Sequence, residues 1–143
     1  MIPNHPRFDV LVYRGVELDD PRGLFAAHGW GGTWVSSVFA FHHFHSTSHE
    51  ALAVLAGNAT IELGGPQGRA FEVAAGDVLV LPAGTGHRRA RDAGGFRVMG
   101  AYPAGQEDYD LLREADGAAR ARIAALGPPP DDPVGGPGVA SWR

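Results

Sequence analysis

Between Trp34 and Tyr102 the chain is cut into short runs of β-branched, aromatic and aliphatic residues, each closed by glycine or proline, with no stretch of core-helix length among them. Trp34 to His45 reads as one long strand opened by Gly31-Gly32. Ala51–Ala56 and Ala59–Leu63 read as a hairpin turning at Gly57-Asn58, and Arg69–Val73 follows the loop Gly64-Gly65-Pro66-Gln67-Gly68. Val78-Leu79-Val80-Leu81 is apolar on both faces, the pattern of a strand covered on both sides, and Pro82-Ala83-Gly84-Thr85-Gly86 ends it in a turn. His87–Arg91 and Phe96–Tyr102 complete the set. Short strands with turn signals at this spacing predict an all-β antiparallel sandwich or small barrel.

The flanks are less regular. Phe8–Tyr13 reads as a short strand, and residues 17–29 as one or two helical turns capped by Asp19 or Asp20, with Pro21 in the first turn and Gly29 as the stop. Tyr109–Leu126 is rich in helix formers, interrupted near Asp116-Gly117. The Pro- and Gly-rich stretch 128–138 excludes regular structure, and Trp142 is placed to pin the tail onto the body. The 143 residues suit a single domain, its barrel within about 35–102 and a helix with a Pro/Gly-rich tail over about 107–143.

Composition narrows the chemistry. Cysteine is absent, so any metal takes nitrogen and oxygen ligands. A net charge of −4, with no lysine, argues against nucleic acid as a partner and excludes a Schiff-base lysine. No apolar run reaches the roughly 18 residues of a bilayer span, and Met1–Arg7 has no apolar signal core, so no membrane is expected and the cytoplasm is the default location.

Four of seven histidines fall in His42-His43-Phe44-His45-Ser46-Thr47-Ser48-His49-Glu50. In extended chain, residues two apart share a face at roughly 7 Å, so His43 and His45 converge while His42 points away. The face of His43 and His45 would also carry Val35, Ser37, Phe39 and Phe41 as an apolar wall. Glu50 follows after an odd offset, so Ser46-Thr47-Ser48 must turn or bulge the chain. If Glu50 faces inward, Leu52 and Val54 do too and His49 does not; His49 and Glu50 are rival ligands. Arg89 and Arg91 share the face of His87 by the period of two, where a guanidinium fork would hold a small organic acid; the alternative is that they are solvated arginines at the strand edge after the turn. His5 and His28 read as surface residues.

His43-x-His45-x4-Glu50-x6-Gly57 resembles the first metal-binding motif of the cupin superfamily, and Gly76-x5-Pro82-x-Gly84-x2-His87 the second. With Leu63-Gly64-Gly65 and Gly100-Ala101-Tyr102-Pro103, the chain is similar to a group of small single-domain bacterial cupins. Ser37 stands where the first motif usually begins with Gly, and Arg91 where the second usually ends with Asn. The resemblance implies a double-stranded β-helix, or jelly-roll barrel, with short peripheral helices. It also implies one divalent transition metal ion (Fe, Mn, Ni or Zn) on His43, His45, Glu50 and His87, and a homodimer.

Four such ligands leave two positions of an octahedral ion for water, substrate or O2. The expectation is a metal-dependent enzyme of oxygenase, isomerase or decarboxylase type, acting on a small polar or carboxylate-bearing molecule. Glu50 doubles as proton acceptor, His49 or His42 gives acid-base help, and Arg89, Arg91 and Phe41 contact the substrate. The alternative is a non-catalytic module that binds a small molecule or is stabilised by its metal.

Overall fold

The computed structural model describes all residues, Met1–Arg143. Its strands are β1 (Leu11–Tyr13), β2 (Trp30–Ser36), β3 (Glu50–Leu63), β4 (Arg69–Ala74), β5 (Val78–Leu81) and β6 (His87–Pro103); α1 (Pro21–Ala26) and α2 (Gly117–Ala125) lie at the periphery, and a 3-10 turn spans Gly138–Trp142. All pairing is antiparallel, in the order β1-β5-β3-β6-β2 with β4 on β3. The first residues of β3, Glu50 to Ala53, pair with β5, and its far half, Asn58 to Leu63, pairs with β4, while β6 runs beside both halves. The sheet therefore folds over on itself, giving the all-β jelly roll that the resemblance implies.

Alternation assigns the two faces. Leu52, Val54, Ile61, Leu79, Leu81 and Val98 fill the interior, a cluster that also takes Val73 and Phe96 from the folded-over part of the sheet. Ala51, Ala53, Val78, Val80 and Met99 face outward, where Phe8, Phe25, Val139 and Trp142 cover them. All four residues of β5 are buried, as its two-sided apolar run predicts. Each large apolar side chain buried in this way stabilises the fold by about 1.5–3 kcal/mol. Trp142 does pin the tail: its indole stacks on Phe8 at 5.2 Å and donates to the Asp9 carbonyl.

Four expected elements differ. Gly57-Asn58 does not turn a hairpin: β3 runs straight through it, because register shifts between Val54 and Asn58 absorb the irregularity against β6. Gly57 has φ +71°, and a Cβ there would lie 2.6 Å from the Ala93 carbonyl oxygen, so the position requires glycine. The two expected last strands are one, β6, with Asp92–Gly95 inside it. The long strand Trp34–His45 stops at Ser36, and residues 37–49 are irregular apart from single bridges, His43 to His87 and Phe44 to Leu112. Of the helix expected over Tyr109–Leu126, only Gly117–Ala125 forms, with the Asp116 carboxylate capping it through the Ala119 amide.

Candidate metal centre

His43 and His87 are bridged backbone to backbone, amide to carbonyl in both directions, at 3.2 and 2.9 Å. The Gly84 amide donates to the His45 carbonyl at 2.8 Å, anchoring the next ligand to the turn after β5. Gly84 has φ +87° and a Cβ there would meet the Asn4 carbonyl at 2.8 Å, so this turn also depends on glycine. Glu50 opens β3 opposite Leu81. The potential ligand nitrogens of His43, His45 and His87 all lie within 4.8 Å of one another, and all three residues are buried.

The hydrogen bonds fix which nitrogen each ring presents. Nδ1 of His43 donates to the Phe41 carbonyl (3.0 Å), Nδ1 of His87 to the Thr85 carbonyl (3.0 Å), and Nδ1 of His45 to the Asp110 carbonyl (2.5 Å). Each neutral ring therefore turns an Nε2 lone pair to the common centre. Oε1 of Glu50 lies 3.1 Å from Nε2 of His87 and 3.3 Å from Nε2 of His45, yet has no hydrogen-bond donor. Three lone pairs and a buried carboxylate oxygen facing one another are stable only around a cation, and an N3O set of this kind fits a divalent transition metal.

The titration behaviour agrees. Burial and the neighbouring His87 hold His43 down at about 3. Burial also opposes charge on His45, but the Glu50 carboxylate outweighs it and raises His45. Burial would raise Glu50; the electrostatic effect of His45, with His87 also close by, reverses that and lowers it. Without a metal, a proton on His45 is the cation that this centre attracts.

The other oxygen of Glu50 is satisfied. The Tyr102 hydroxyl donates to Oε2 at 2.6 Å and accepts from Nε1 of Trp34 at 2.7 Å. Trp34 reaches it by lying flat on Gly100, where a Cβ would stand 2.3 Å from the indole ring. Asp110 ties down the opposite flank: its carboxylate accepts from the backbone amides and hydroxyls of Ser46 and Thr47, and these bonds hold the acid below its ordinary range against the effect of burial. This staple carries Tyr109 into the site, stacked on Tyr102 at 4.1 Å and edge-on to His45 at 4.8 Å. Tyr102 stood in the sequence only as part of the Gly-Ala-Tyr-Pro pattern. Trp34, Tyr109 and Asp110 carried no signal as site residues, the last two because their segment reads as helix.

Five expected participants are not brought to the centre. His49, the rival of Glu50, lies on the outer face of β3: Nδ1 accepts from the Ala83 amide (2.9 Å), Nε2 donates to the Gly127 carbonyl (2.8 Å), and the ring packs near Phe8 and Trp142. With both nitrogens engaged away from the centre, it is not placed to exchange a proton there. Arg89 donates to the Val38 carbonyl and pairs with Asp92. Arg91 is turned outward, because the register shift between Thr60 and Ile61 leaves Ala90 as an extra residue and reverses the alternation; its Nε meets Thr60 and a second nitrogen faces Glu72. Phe41 packs edge-on against His43 beneath the Arg113 guanidinium, and Phe39 takes its place at the cavity. His42 also points away, near Arg88 and Glu62. His5 is not a plain surface residue: its ring stacks on Phe8 at 4.0 Å and accepts from the amides of Arg7 and Phe8.

Burial lowers His49 to about 4. The unfolded chain thus binds the proton first, and stability carried by neutral His49 is lost as pH falls from 6.5 toward 4, by up to about 3 kcal/mol. His49→Leu forfeits the ring's two hydrogen bonds at every pH and, having no titratable group, is free of this linkage. Urea unfolding should show the gap between wild type and variant narrowing by that amount across the window. A gap independent of pH would contradict a neutral buried His49.

Comparison with known proteins places these features in a family. The cupin domain profile matches residues 34–94. The chain is 38% identical over 142 residues to the uncharacterized protein YjlB of Bacillus subtilis (strain 168), covering 94% of this chain and 84% of that one. Among solved structures, a DUF861 family protein from Thermotoga maritima matches 67% of this chain and 99% of its own at 17% identity and TM-score 0.42. The vicilin of Solanum lycopersicum matches 79% of this chain at 21% identity and TM-score 0.47, and this chain spans only 32% of that longer protein. With the histidines of both motifs converging as the resemblance implies and a relative matched over most of both lengths, the chain belongs to the cupin family.

Proposed function

We propose that the protein is a metal-dependent enzyme that holds one divalent transition metal ion on His43, His45, His87 and Glu50 and acts on a small oxygen-bearing molecule. The observation that carries this reading is the orphaned Oε1 of Glu50 beside the imidazole nitrogens, at the inner end of a cavity of about 50 Å³ that opens to solvent. Bound there, the ion would supply Lewis-acid or redox chemistry, as oxygenases, isomerases and decarboxylases require. The chain's own residues set the rest. Trp34 and Tyr102 fix the carboxylate through Oε2, so Oε1 is the one atom of Glu50 left to bind a metal or take a proton. The backbone carbonyls of Phe41, Thr85 and Asp110 hold the imidazoles in orientation.

One observation favours a second reading, a non-catalytic module: the four candidate ligands are all 5% exposed or less, as in a closed structural site. Azide separates the two. Added to metal-loaded protein, it should shift the metal's absorption or paramagnetic resonance spectrum if the site is open. No shift, together with no turnover of keto acids, diols or sugars with or without O2, would leave the structural role. No helix is long and apolar enough to cross a membrane. On the resemblance to small cupins we further propose a cytoplasmic homodimer, which sedimentation and cell fractionation would test.

A further inference from the structure

The walls of the cavity above the metal centre are chemically one-sided. Apart from the four candidate ligands, they are formed mainly by Trp34, Phe39, Leu52, Tyr102, Tyr109 and Leu111, and no arginine borders the cavity. Arg89 is held by Val38 and Asp92, and Arg113 lies over Phe41. The neutral polar groups in the wall are Ser37 and the two phenols, and the Tyr102 hydroxyl is already engaged by Glu50 and Trp34. Phe39 and Leu111 are 52% and 42% exposed although both border this cavity, so apolar surface continues from it to the solvent.

A sugar placed here would leave several hydroxyls without partners, at about 1–3 kcal/mol each. A second carboxylate or a phosphate would enter without a counter-charge from the wall. Aromatic and aliphatic walls reward a flat apolar body, through burial and through stacking on Phe39 or Tyr109.

From this we infer the substrate class: a molecule with one oxygen-bearing head directed at the metal centre and an unsaturated or aromatic apolar body lying between Phe39 and the Tyr109–Leu111 segment. The inference rests on the metal reading and replaces the arginine-clamped organic acid expected from the sequence.

Three 2-oxo acids that share a head and differ in the body test it: benzoylformate carries a phenyl group, pyruvate a methyl and ketomalonate a second carboxylate. Metal content is measured first by elemental analysis, so a protein that takes up no metal refutes the metal reading and is recognised as such. Titration calorimetry on loaded protein should then rank benzoylformate above pyruvate by about tenfold or more, with ketomalonate no tighter than pyruvate. Phe39→Ser and Leu111→Ser alter half-exposed positions and should fold; each should weaken benzoylformate several-fold and leave pyruvate unchanged. Ketomalonate binding as tightly as benzoylformate, benzoylformate no tighter than pyruvate, or failure of benzoylformate to bind loaded protein would overturn the substrate class. So would unchanged benzoylformate affinity in both serine variants.

Discussion

His87→Ala protein is expected to purify without stoichiometric metal, with an affinity more than 100-fold below wild type. Loss of a residue that merely orients a ligand already costs about 10- to 100-fold, and His87 is proposed as a ligand itself. The backbone bridge between His43 and His87 uses main-chain atoms alone, so the variant retains the local fold, losing the Nδ1 bond to the Thr85 carbonyl. Elemental analysis of parallel preparations decides the matter. His43→Ala and His45→Ala should behave as His87→Ala does, whereas His42→Ala, altering a ring that points away, should retain full loading. Full metal content in His87→Ala would break the link between the two motifs.

Part of the candidate centre was legible in the sequence because its logic is local, while Glu50 and His87 entered through the resemblance to cupin motifs. His43 and His45 stand two apart, and extended chain of either regular or irregular kind sends such neighbours to one side. The exclusion of His49 followed from the same alternation once Glu50 faced inward with Leu52 and Val54. What failed was non-local. Residues 37–41 have β composition, but the carbonyls of residues 38–40 are taken by arginines of β6: Val38 and Phe39 accept from the side chain and amide of Arg89, and Ala40 accepts from Arg88. Side chains from a distant strand thus replace the ladder that composition predicts. Gly57-Asn58 carries a hairpin signal, and only the opposed irregularity of β6 around Asp92–Gly95 turns it into a bulge. Tyr109 and Asp110 were hidden among helix formers, and the Ser46 and Thr47 contacts that override that propensity lie more than sixty residues away.

Tyr102→Phe should show how far the centre depends on the residue behind it. Burial and the charge of Glu50 both push the Tyr102 phenol up, so it stays protonated and acts as donor. Removing the hydroxyl leaves Oε2 of a fully buried carboxylate without a partner and leaves Nε1 of Trp34 without its acceptor. Hydrogen bonds to charged groups contribute about 1.5–3 kcal/mol, so metal-free Tyr102→Phe is expected to lose about 2–3 kcal/mol in urea unfolding. Metal affinity, measured by competition with a chromophoric chelator, should fall by about 10- to 100-fold, because a freed carboxylate samples orientations in which Oε1 no longer faces the imidazoles. Gly100→Ala reaches the same carboxylate from further away: the added methyl displaces the Trp34 indole, and affinity should drop in the same direction though the altered residue touches no ligand. Affinity within twofold of wild type in Tyr102→Phe would mean that the carboxylate is held by the histidines alone. A loss in both variants, with stability recovered on adding metal, would establish Trp34-Tyr102-Glu50 as one unit in which an outer tryptophan sets the orientation of a candidate ligand.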